Sequence, residues 1–67
     1  MKEQRYKLVT AYEEFLDTAK RYPKRIRMSH NQYLIFVKVL EYMEVKDFHG
    51  CKEIVSDAVK DGEYIFN

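Results

Sequence analysis

The chain has 67 residues, a formal net charge of +1, 46% hydrophobic side chains and 15% aromatic ones. That length allows one domain, 1–67, near the lower limit at which a core holds without a disulfide, a metal or a partner. Cys51 is the only cysteine, which excludes an internal disulfide, and no apolar run approaches the roughly 18–20 residues of a membrane span.

Residues 3–21 predict an amphipathic helix. Leu8, Val9, Tyr12, Phe15, Leu16 and Ala19 fall on one helical stripe. Glu3 with Lys7 and Asp17 with Arg21 form acid-to-base pairs at i,i+4 on the other face. Pro23 pushes its predecessor out of the α region and ends the helix. Lys20 and Arg21 then fall in the last turn, where cations suit the helix dipole. Residues 25–28, Arg-Ile-Arg-Met, alternate basic and apolar. They predict a short strand with Ile26 and Met28 facing inward.

Residues 30–44 predict a second helix. Ser29 is its N-cap, Gln32 completes a capping box, and Met28 with Tyr33 makes a hydrophobic staple. Its apolar surface is broad, with Tyr33, Ile35, Phe36, Val37, Val39, Leu40, Tyr42 and Met43 leaving a narrow polar band through Lys38, Glu41 and Glu44. A stripe wider than about 100° means burial on more than one side: a central helix, a contact with another molecule, or both.

Residues 50–67 carry two patterns. Cys51, Ile54, Val55, Ala58 and Val59 have helical spacing, with Gly62 as a C-terminal cap. The same stretch reads as a hairpin around Asp61-Gly62, a preferred type I′ turn, which sets Lys60 opposite Glu63, Val59 opposite Tyr64 and Ala58 opposite Ile65. The hairpin or an extended path is the favoured reading, with strands at about 51–57 and 63–67. The expected fold is therefore α+β: two helices on one face of a short antiparallel sheet, in the order α1–β1–α2–β2–β3. The alternative is an all-α three-helix domain with helix 3 at 51–60.

The segment Phe48–Phe66, FHGCKEIVSDAVKDGEYIF, resembles extended hairpin segments of small phage- or prophage-encoded proteins, capsid-type ones among them. The matching residues are Phe48, Gly50, Ile54, Val55, Ser56, Asp57, Asp61 and Gly62. Lys52 and Lys60 stand where such sequences often place proline. The resemblance covers 19 of the 67 residues. It implies a phage or prophage origin and assigns no binding residue.

Charge is unevenly spread. Residues 20–27 hold five basic side chains and no acidic one, whereas residues 28–67 hold four basic and seven acidic. The cluster Lys20, Arg21, Lys24, Arg25 and Arg27 surrounds Tyr22, with His30 nearby. Cations engage phosphates and interleaved aromatics stack on unpaired bases. A solvated helix end and turn is the plainer account, since a nucleic-acid domain usually has a larger basic surplus. His49 and Cys51 share a face if extended, as a nucleophile–base pair or two metal ligands would. With neither a third orienting group nor a second cysteine, they read as a loop residue and a small buried hydrophobe. Glu13 with Asp17 and Glu41 with Glu44 lie on exposed helix faces, and Gly50 and Gly62 stand alone rather than in a phosphate loop.

These features predict a non-catalytic accessory or regulatory protein with no cofactor, no metal and no small-molecule substrate. It would dock on another protein, or on itself as a homo-oligomer, through Tyr33, Phe36, Val39, Leu40, Tyr42 and Met43. The alternative is a small nucleic-acid-binding module using Lys20, Arg21, Tyr22, Lys24, Arg25 and Arg27. No membrane partner is expected. The lone thiol and the absence of a secretory leader pattern make the cytoplasm the expected location.

Overall fold

The computed structural model describes residues 1–67, with elements α1 (Lys2–Ala19), β1 (Arg25–Met28), α2 (His30–Met43), β2 (Lys52–Val55) and β3 (Ile65–Phe66). The architecture is α+β in the expected element order. The sheet, however, is mixed rather than antiparallel. Its strand order is β2-β1-β3, with β1 parallel to β2 and antiparallel to β3. Parallel neighbours need a crossover of a dozen or more residues, and α2 with the loop behind it supplies one.

The expected hairpin does not form, and neither does a helix at 51–60. The Asp61-Gly62 turn is closed by Glu63 N–H donating to Lys60 O at 3.3 Å, but only Gly62 has a positive φ, +88°. That is the type II pattern, whose twist splays the flanking chains instead of pairing them. A primed turn occurs elsewhere. His49 (φ 54°) and Gly50 (φ 71°) are both left-handed, and Cys51 N–H donates to Phe48 O at 3.0 Å. Asp47 Oδ1 accepts from Gly50 N at 3.0 Å, fixing this turn just ahead of β2.

α1 ends a little earlier than its charges imply. Lys20 takes the left-handed C-cap, donating its N–H to Leu16 O, so no basic residue lies in the last turn. α2 begins as expected at Ser29, whose Oγ accepts from Gln32 N at 3.1 Å. The other half of the capping box is redeployed. Gln32 Nε2 donates to the Tyr64 hydroxyl at 2.8 Å, and Gln32 Oε1 accepts from Gly62 N at 2.9 Å. A buried amide with both ends engaged thus ties the C-terminal segment to the start of α2.

The core lies between the sheet and the helices. Leu8, Ile26, Met28, Phe36 and Val39 are fully enclosed, each contributing about 1.5–3 kcal/mol by burial. α1 packs against α2 and β3. At that junction Tyr12 meets Phe48 edge-on at 5.2 Å and Phe66 at 5.6 Å. No helix is long and apolar enough to cross a membrane.

Candidate functional site

Strand alternation divides β1 between two environments. Ile26 and Met28 point into the core, so Arg25 and Arg27 point to the opposite side of the sheet. Both helices pack on the core side. The register then fixes what accompanies the arginines: Lys52 lies beside Arg25, Ile54 and Ile65 flank Arg27, and Arg25 and Asn67 exchange backbone hydrogen bonds at 3.0 Å. The bare face is therefore two short rows, Lys52–Arg25–Asn67 and Ile54–Arg27–Ile65. It measures about 10 Å across the strands and about 7 Å along them.

No strand position on this face is acidic. The chain's only ion pair joins exposed Lys20 and Asp17 at 3.8 Å, so Arg25, Arg27 and Lys52 have no carboxylate partner. Arg27, paired with an isoleucine on each side, is half-buried, while Arg25 and Lys52 are exposed. Of the remaining basic cluster, Lys20, Arg21, Tyr22 and Lys24 are all exposed. Arg21 sets its guanidinium over the Phe15 ring at 5.1 Å. Sequence reasoning missed Lys52, Ile54 and Ile65 as members of this surface. They become visible only once β2 and β3 are placed on either side of β1.

The expected partner surface on α2 needs correction. Phe36, Val39 and Leu40 are buried in the core, so they offer nothing to a second molecule. Tyr33 and Met43 are half-buried and pack against that core. Tyr42 stays 52% exposed. The breadth of the apolar stripe reflects a helix covered on several sides by the sheet, α1, the Phe48 loop and Tyr64. The exposed large apolar residues near it are Leu34 (52%) and Val45 (43%).

His49 and Cys51 do not form a reactive pair. The exposed His49 ring stacks on Tyr12 at 4.3 Å, while Cys51 is buried with its thiol donating to Pro23 O at 3.6 Å. Burial, with Asp47 nearby, pushes the Cys51 thiol up from its ordinary range, which weakens it as a nucleophile. No group of three or more His, Cys, Asp or Glu side chains converges as metal ligands would. A groove of about 380 Å³ beside α1 is open to solvent and lined by Tyr6, Lys7, Thr10, Glu14, Glu63 and Tyr64 among others.

The chain matches no known protein family, no curated protein and no solved structure. The functional reading accordingly rests on the surface itself.

Proposed function

We propose that the protein is a non-catalytic binding module that engages nucleic acid through the bare sheet face, with Arg25, Arg27 and Lys52 on phosphates and Arg21 and Lys24 alongside. The observation that carries this reading is a sheet face turned away from both helices, whose cations have no acidic partner. A guanidinium fork matches a phosphate's oxygens two at a time, and displaced counterions add to affinity. The acidic balance of residues 28–67 would turn the basic face toward a polyanion during approach. A phage or prophage origin and a cytoplasmic location belong to the same proposal, supported by the Phe48–Phe66 resemblance and the single buried thiol.

Fluorescence anisotropy with a labelled oligonucleotide tests it. Log affinity should fall linearly with log salt, with a slope of about −2 to −3 for three phosphate contacts. Changing Arg25, Arg27 and Lys52 together to Ala should remove binding. No anisotropy change at about 50 mM salt would end the reading.

A second reading, docking on a protein or on a second copy, is favoured by the exposure of Leu34, Tyr42 and Val45. Light scattering that returns a dimer mass, lost in Tyr42→Ala, would support it over the first.

A further inference from the structure

We infer that the nucleic acid this face takes is single-stranded, with Tyr22 as the ring on which an unpaired base stacks. This rests on the nucleic-acid reading above and goes beyond it by naming the form of the ligand.

Tyr22 is 77% exposed, the most open of the large hydrophobic side chains. It takes no part in the core, whereas Pro23, the next residue, is buried. The backbone beside it is held at three points. Lys24 N–H donates to Asn67 O at 2.7 Å, Lys24 O accepts from Lys52 N–H at 2.9 Å, and Pro23 O accepts from the Cys51 thiol. The ring therefore projects from an anchored base at the end of the sheet where Lys52 and Arg25 lie. Chain geometry keeps the Tyr22 backbone within about 7 Å of Lys24 and about 10 Å of Arg25.

The bare face carries no aromatic side chain, only cations, two isoleucines and Asn67. Phosphates belong there, and the base belongs at Tyr22. In a duplex the base faces are already stacked on one another and have nothing left to offer the ring. A duplex reader also needs an element that enters a groove, and both helices lie on the far side of the sheet. In a single strand every base presents a free face, so stacking on an exposed tyrosine is open to it and tolerant of sequence.

The test uses the full chain and one sequence of about 12 nucleotides, within the span a small fold covers. It is prepared as single-stranded DNA, single-stranded RNA and DNA duplex. Anisotropy should show at least one single strand bound about tenfold or more tighter than the duplex. Tyr22→Ala should weaken single-strand binding about 5- to 150-fold and leave duplex binding unchanged, while Tyr22→Phe keeps wild-type affinity. Circular dichroism of Tyr22→Ala should match wild type, because the side chain lies outside the core. Duplex bound as tightly as single strand, or Tyr22→Ala without effect, overturns this inference while leaving the nucleic-acid reading standing. No binding of any of the three overturns both.

Discussion

The two faces of the sheet put the same strand to opposite uses. On the inner face Ile26 and Met28 are fully enclosed, joined by Phe66 from β3 and covered by Phe36 and Val39 from α2. On the outer face Arg25, Lys52 and Ile65 are exposed, with Arg27 and Ile54 half-buried between them. Four residues of β1 thus anchor the core and present a cationic surface. Stability should be insensitive to the outer side chains, and binding should depend on them.

The largest expected effect lies inside. Phe36→Ala removes a fully buried ring and should cost about 3–5 kcal/mol. That is a large share of the total for a domain of this size, so urea denaturation followed by circular dichroism should show a chain largely unfolded even without denaturant. Next comes the buried amide. Gln32→Leu strands both the Tyr64 hydroxyl and the Gly62 N–H, at a cost of about 1–3 kcal/mol. Restoring part of that loss in the double variant with Tyr64→Phe would show that the stranded hydroxyl, rather than the changed side-chain shape, is responsible.

The outer face should give the contrary result. Arg25→Ala should shift stability by no more than about 0.5 kcal/mol, with Arg27→Ala slightly more costly because Arg27 is half-buried. Each should nonetheless reduce the salt dependence of nucleic-acid binding by about 0.7–0.9 in slope. A core-sized stability loss at Arg25 would erase the distinction between the faces.

The smallest effect is a dependence on pH. Hydrogen bonds from Ser29 and Asn31 hold the Asp61 carboxyl below its ordinary range. A depressed folded-state pKa stabilises the fold above the unfolded value of about 3.9, and that contribution is lost as pH falls through the lower folded value. The urea midpoint should therefore decline on acidification below about pH 5, and slightly less so in Asp61→Asn. At the alkaline end, burial raises the Tyr64 pKa against the lowering effect of Gln32. Its contribution is intact below the unfolded value of about 10 and disappears as pH rises through the folded one.

Local signals are legible in this sequence, and long-range ones are not. Ser29 as a cap and the alternation of Arg25–Met28 depend on neighbours a few residues away, and both appear as expected. The pairing of β2 with β1 depends on a crossover that no short window contains. The strand–helix–strand succession is the signal that could have revealed it, whereas the Asp61-Gly62 dipeptide favours a hairpin. The left-handed turn that Asp61-Gly62 promised sits at His49-Gly50, where histidine tolerates a positive φ better than most residues. The basic surface was half visible. Residues 20–27 announced themselves by charge density, whereas Lys52 joins them only through the register with Arg25. On α2, breadth alone could not separate a helix enclosed by its own chain from one waiting for a visitor.

Cys51 has a use beyond packing. Its thiol is shielded at the junction where the segment before β1 meets the start of β2, and it is the only sulfhydryl in the chain. Opening of that junction exposes it to a thiol reagent, so with fast reclosing the labelling rate follows the population of the open form. The wild-type protein therefore carries its own timer for the seam beneath the basic face, and a ligand that steadies the seam should slow it.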